Sequence, residues 1–317
     1  MQLIYHFGYP RTGTTLLQKN LFRFHSNINY LGPKSYDENF KVLINQKEID
    51  ELEKIYLKNK NNKLFYFKNL NKKMNLDLFS TNKINIFSSE KYLFYSRYKR
   101  YEGLIALTDF LKEKFDLKIK IFYTIRPQYE LIESIYHHSH GFLKNFLNVS
   151  SLNDLVRKIE LNQIEDHSNI YHFLKAYDFN FTFEEIKSKF KDAHIKIFNF
   201  KDLKNQKDKF VEDLSIFLNI DSNEAKLILK KKKDNQSKIL NNKRILQSNI
   251  QRIISNNNYY KSIKFLIPSK FKKIVNNLLA NKSEIKYDEE KHMRSVIENF
   301  YLKSNKEFSN KTGIKIY

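Results

Sequence analysis

The feature that most constrains this chain is the turn Gly8-Tyr9-Pro10-Arg11-Thr12-Gly13-Thr14-Thr15, wedged between a strand pattern and a helical one. Residues 2–7 read as a short buried strand through Leu3, Ile4, Tyr5 and Phe7. From Thr14 to Phe24, Leu16, Leu17, Leu21 and Phe24 recur at helical spacing. A strand, a glycine-bounded turn and a helix, in that order, open an α/β nucleotide-binding domain. Backbone N–H groups at such a helix start converge on one space, and the helix dipole favours an anion there. Gly13 lets the backbone approach closely, Thr14 and Thr15 bring hydroxyls, and Arg11 brings a forked cation. A Walker A loop would place Lys and then Ser or Thr after the second glycine. Here Thr14 stands where that lysine would be, and Arg11 supplies positive charge from inside the turn.

The rest of the chain continues the α/β pattern. Strands are expected at Lys83–Ser88, Lys118–Ile125 and His194–Phe200. Helices are expected at Glu102–Phe115, Gln128–His138 and Lys207–Leu218, and residues 222–233 end in the run Lys230–Lys233. Residues 41–79 read as mostly helical and polar, with Leu57–Lys63 a surface loop. Residues 151–190 read as helical with a break near Asn180, and the chain from Ile239 onward as helical with an interruption at Pro268. Strands separated by helices imply a P-loop-like three-layer α/β/α domain with a central, mainly parallel sheet and a helical C-terminal extension. The expected division is a core over 1–238 and a helical part over 239–317 packed on the same domain.

A second anion site is read at the end of the strongest strand. Lys118–Ile125 closes on Arg126-Pro127, and Ser134 follows eight residues later, about two turns into the next helix. An NTPase would want a magnesium-holding Asp at such a strand end. An arginine suits a second anionic group instead. Two anion sites at the C-terminal ends of strands match a nucleotide with two separated anionic groups, in the usual ligand position of open α/β sheets.

These segments resemble the sulfotransferase family that uses 3′-phosphoadenosine 5′-phosphosulfate (PAPS), in particular its bacterial, carbohydrate-type members. "FGYPRTGTT" is similar to the family's 5′-phosphosulfate loop, with Arg11 as its basic residue. "YTIRPQYELIESIYH" is similar to its 3′-phosphate motif, with Arg126 and Ser134 at the family spacing. "IKIFNFKDL" followed by "FVEDLSIFLNI" resembles a later strand–helix pair, where a family tyrosine contacts adenine. Phe200 stands in that place and can stack but not hydrogen-bond. "IFSSEKYLF" resembles the Ser-Ser-Glu segment of bacterial members, and "FYLKSNKEFSNKTGIKIY" their C-terminal helix. Asn235-Gln236-Ser237 is matched to a late nucleotide-contacting loop. The resemblance implies a sulfuryl transfer from PAPS to an acceptor hydroxyl, of a glycan or glycolipid, with 3′-phosphoadenosine 5′-phosphate (PAP) as product and no metal. The implied cofactor-binding residues are Arg11, Thr12, Gly13, Thr14, Thr15, Arg126, Ser134 and Phe200.

Two residues are assigned to the chemistry. Arg11 would stabilise the departing phosphate. Glu90, following a strand and so expected at the sheet's active edge, is the candidate general base, with Lys91 beside it. His6 is expected to sit behind the site. His137, His138 and His140 lack the spacing of a helical zinc pair and are expected to line the acceptor cleft.

Composition sets outer limits. The chain has 317 residues, no Cys, and a formal net charge of +22. Cysteine chemistry and disulfides are excluded. The charge suits an anionic partner, and equally the joint enrichment of Lys, Asn, Ile, Phe and Tyr found in AT-rich genomes. Lys230–Lys233 is a solvated face or a contact for an acidic acceptor. No secretory leader and no long apolar run is read, so a cytoplasmic protein is expected, with peripheral membrane contact open. Two rival functions stand beside the first. One is a magnesium-dependent nucleotide kinase or NTPase. The other is a basic polyanion-binding protein without catalysis, for which no nucleic-acid-binding signature is present.

Overall fold

The computed structural model describes residues 1–32, 42–44, 46–58, 67–68, 70–72, 74, 76–90, 92–93, 101–230, 239–240, 243–246, 281–282 and 287–316. The side chains of 57, 138–144 and 239–289 lie outside that description, as do Lys91, Lys231–Lys233, Asn235-Gln236-Ser237 and Pro268. The chain divides into two compact units. The first comprises Met1–Arg126, Leu174–Asp234 and Ser304–Tyr317; the second comprises Pro127–Phe173 and Asn235–Lys303.

The first unit is built on five parallel strands: β1 (Gln2–Gly8), β2 (Ile28–Gly32), β3 (Ile84–Ser89), β4 (Lys118–Ile125) and β5 (His194–Asn199). Their order in the sheet is β2-β3-β1-β4-β5. β1 is therefore central, and its apolar run is buried on both faces, as a central parallel strand must be. Even-numbered residues of β1 face one helical layer. Ile4 packs with Leu17, Leu21 and Phe22 and with Phe210, Leu214 and Phe217 of α10 (Lys207–Leu218). Odd-numbered residues face another. The Tyr5 hydroxyl is 2.8 Å from Thr108 Oγ1 on α4 (Glu102–Lys114), and the Tyr5 ring lies 5.9 Å from Phe190, which follows α8 (Phe179–Lys189). The result is the expected three-layer α/β/α arrangement around a parallel sheet.

The helix after the turn runs over the expected span, but in three pieces: α1 (Thr14–Leu16), a π turn over Leu17–Leu21, and α2 (Phe22–Phe24). It leads to β2, a strand that the sequence reading passed over because Asn29 and Gly32 dilute its apolar pattern. α3 (Gln46–Lys58) lies in the stretch read as helical. It crosses α4 at Gly103, where a methyl group would sit 2.8 Å from the Ile49 carbonyl. α9 (Phe200–Asn205) and α11 (Ser222–Lys230) complete the described helices around the end of the sheet.

The second unit opens with α5 (Gln128–Leu147), continues through α6 (Leu152–Glu160) into α7 (Asn169–Ala176), and takes in the first part of α12 (Tyr287–Thr312). The Ser151 side chain accepts from the Asp154 N–H and starts α6. The break expected near Asn180 falls two residues earlier. There Asp178 caps α8 by accepting from the Phe181 N–H at 3.0 Å. Past Ile239 the structure is not all helical: β6 (Ile239–Leu240), β7 (Lys243–Leu246) and β8 (Asn281–Lys282) form a small antiparallel sheet before α12 supplies the helical C-terminal part. Among the described residues no helix is long and apolar enough to cross a membrane.

Candidate active site

Strand register decides where the site forms. Gly8 of β1 pairs with Thr124 of β4, and Phe7 pairs with Ser89 of β3. Glu90 therefore leaves β3 at the level where Gly8 leaves β1, and Arg126 lies two residues beyond Gly8's partner. Ile125 pairs with Asn199, which brings Arg126 and Phe200 side by side at the ends of β4 and β5. Four residues from four distant points of the sequence thus meet along one edge of the sheet. The helix after β1 packs on one face, whereas α8, between β4 and β5, packs on the other. The C-terminal crevice between β1 and β4 is accordingly a switch point of the kind that receives ligands in open α/β sheets.

The turn is closed by its own side chains. Thr12 Oγ1 donates to the Tyr9 carbonyl at 2.7 Å, and Thr14 Oγ1 donates to the same oxygen at 3.3 Å. Both threonines are buried, and these hydrogen bonds close the turn on itself. Thr14 also explains Gly8: a methyl group there would lie 2.1 Å from Thr14 Oγ1. Gly13 has φ of +84°, and a methyl group on it would lie 2.5 Å from Leu203 Cδ2. The turn rests on α9, an arrangement invisible in the spacing of the motif. Tyr9 anchors it from below, donating its shared hydroxyl hydrogen to Ala176 O and Thr182 Oγ1, both at 3.1 Å.

Arg11 sits at the rim of the turn with φ of +70°, a left-handed conformation costly for a residue with a Cβ. Partial burial weakens its hold on its proton. The Arg126 charge pushes the same way, and the Glu90 carboxylate opposes both. Two guanidinium groups and one carboxylate therefore feel one another at the mouth of the crevice. An anion placed there would relieve the repulsion between the arginines. The Arg126 guanidinium carbon lies 5.3 Å from the centre of the Phe200 ring. Glu90, Arg11, Arg126, Thr15 and Phe200 are all half-buried, so the edge they form is partly open to solvent.

His6 is a core residue behind the site. Its ring stacks on Phe122 at 4.4 Å, Nδ1 is 2.7 Å from Ser88 Oγ, and burial pulls its pKa down to about 3. It is neutral at ordinary pH. Gln18, in the π turn, donates to Ser88 O at 3.2 Å and to Ser88 Oγ at 2.9 Å. The strand end that presents Glu90 is thereby tied to the helix of the anion turn. Nothing in the residue spacing pointed to Gln18. Tyr123, also beneath the site, is buried and holds its phenolic proton well above the usual range through burial and the neighbouring Tyr9 and Tyr101.

Ser134 lies in the second turn of α5 and belongs to the second unit. On the same helix His137 Nε2 lies 3.8 Å from Glu133 Oε1. The side chains of His138 and His140 fall outside the described residues. Lys230 is exposed at the end of α11.

No family model matches the chain, and no curated protein matches it in sequence. Solved structures do. A sulfotransferase from Alicyclobacillus acidocaldarius is similar at 14% identity and a TM-score of 0.39, over 69% of this chain and 81% of that one. The sulfotransferase domain from the curacin biosynthetic pathway is similar at 14% identity and a TM-score of 0.33, over 69% of this chain and 74% of that one. At such distances function has to be read from the residues of the site itself.

Proposed function

We propose that this chain is a PAPS-dependent sulfotransferase that moves a sulfuryl group to an acceptor hydroxyl of a glycan or glycolipid. The observation that carries the proposal is the juxtaposition of Arg11 and Arg126 at the C-terminal edge of the parallel sheet, where burial and then the Arg126 charge weaken the hold of Arg11 on its proton. One arginine belongs to a phosphate-type turn that lacks the Walker lysine; the other closes the neighbouring strand. A nucleotide with a 5′-phosphosulfate and a 3′-phosphate offers one anionic group to each.

In the proposed reaction the acceptor oxygen forms a bond to sulfur as the bond from sulfur to the 5′-phosphate oxygen breaks, and PAP departs. Charge accumulates on the departing phosphate. Arg11 and the N–H groups of the turn stabilise it there, and this needs positioning more than covalent chemistry. Glu90 takes the acceptor proton. Its place at the level of Gly8 supports that role, because the acceptor must approach the sulfur from the side opposite the leaving phosphate. Arg126 takes the 3′-phosphate, and Phe200 belongs to the same nucleotide site. The donor chemistry needs no metal.

PAP at about 100 times its dissociation constant should stabilise the fold by about 2.7 kcal/mol, which a thermal melt detects. Arg126→Ala should weaken PAP about tenfold to a hundredfold, the scale of a lost charge-assisted hydrogen bond of about 1.5–3 kcal/mol, and leave adenosine 5′-phosphate nearly unchanged. Equal losses for both nucleotides would remove the 3′-phosphate assignment.

A further inference from the structure

Phe200 borders both Arg126 and the turn that carries Arg11. Its ring centre is 5.3 Å from the Arg126 guanidinium carbon. It also borders the turn, since a methyl group on Gly13 would come 3.6 Å from Phe200 Cε2 and 3.9 Å from Cδ2. Two like charges left to themselves move apart, and Arg126 stands beside Arg11. An aromatic face supplies an attraction that opposes this, because its quadrupole draws in a cation and a planar guanidinium lies well against it. A ring face given over to Arg126 is not available to a purine.

We propose that Phe200 is a positioning residue that holds the Arg126 guanidinium beside the anion turn and so sets the preference for a nucleotide with a second, separate phosphate. This rests on the reading of the site as a PAPS site. It replaces base stacking as the work of Phe200, and it locates specificity in the phosphates of the ligand. The backbone supports the geometry. Asn199, the partner of Ile125, caps α9 by accepting from the Lys201 N–H at 2.9 Å, which fixes the first turn of the helix from which Phe200 projects.

The test is calorimetric titration of the full chain with PAP and with adenosine 5′-phosphate. The proteins compared are wild type, Phe200→Leu, Phe200→Tyr, Arg126→Ala and the Phe200→Leu/Arg126→Ala double variant. Phe200→Met, closer in volume, takes the place of Phe200→Leu if the latter does not fold. Wild type should prefer PAP. Phe200→Leu should cut that preference about fivefold to thirtyfold, the size of a partly desolvated cation–π contact, with adenosine 5′-phosphate changed less than about threefold. Phe200→Tyr keeps the ring and should keep the preference. In the Arg126→Ala background Phe200→Leu should cost almost nothing more, as expected when one residue acts through the other. Equal weakening of both nucleotides by Phe200→Leu, or an undiminished loss in the Arg126→Ala background, overturns the proposal and returns Phe200 to the base. A wild type that binds both nucleotides equally overturns the two-phosphate reading itself, so the two failures are told apart.

Discussion

At the scale of single residues, the chain divides its polar groups into those buried behind the sheet edge and those half-exposed along it. His6 shows the first kind. A histidine at the end of the central strand invites a catalytic reading, but its ring is stacked on Phe122 and its basicity is lowered to about 3 by burial. The consequence is a pH-dependent stability. The folded value lies below the ordinary 6.5, so between the two the unfolded chain binds the extra proton. Stability from this group is complete above about pH 6.5 and is lost progressively as the pH falls toward 3, by at most about 1.4 kcal/mol per pH unit. Urea denaturation at a series of pH values should show that slope in wild type and a shallower one in His6→Gln, whatever the absolute stability of the variant. Parallel curves would mean that His6 is not held neutral. Sequence alone placed His6 correctly on its strand. It could not supply burial, which depends on Phe22 and Phe122 arriving from elsewhere.

At the scale of elements, legibility followed periodicity. Lys118–Ile125 and Lys207–Leu218 have the bounds read from their apolar patterns, because each pattern is uninterrupted and each end is marked, by Pro127 in one case and by Asn219 in the left-handed conformation in the other. β2 was missed, since Asn29 and Gly32 occupy positions where apolar residues would announce a strand. Asn29 is there for a reason that pattern cannot carry: its amide donates to Asn85 Oδ1 at 2.7 Å and to Leu78 O at 2.6 Å. The anion turn was legible as a motif, but its support was not. Gly13 looked like a residue chosen for backbone approach to a ligand, and it is equally a residue chosen for α9. Gly13→Ala should destabilise the fold by about 1–2 kcal/mol through its left-handed backbone alone, and further through the clash with Leu203. Leu203→Ala removes the clash and leaves the backbone cost. The double variant should therefore be less destabilised in chemical denaturation than the two single changes added together. Strict additivity would show that Leu203 is not what the new methyl group meets.

At the scale of the whole molecule, the open question in the sequence was the meaning of a net charge of +22. A diffuse basic surface attracts polyanions without any built site. A nucleotide site concentrates its demand on very few groups, in the proposed reading Arg11 and Arg126; burial first, and the Arg126 charge after it, weaken the hold of Arg11 on its proton. The two cases separate under one double variant. Arg11→Ala/Arg126→Ala removes two of 57 basic residues. If the charge itself is the function, affinity for a sulfated polysaccharide column should barely change, and so should every other property, PAP stabilisation included. If the site is the function, the column retention should again barely change, while the stabilisation by PAP disappears and transfer of radiolabelled sulfate from PAPS to a saccharide acceptor falls at least a hundredfold. The polysaccharide arm is the control that makes the loss specific, because it shows that the variant is still basic, while its melt without ligand shows that it is folded. PAP stabilisation surviving the double substitution would remove the two arginines, and the sulfotransferase proposal with them.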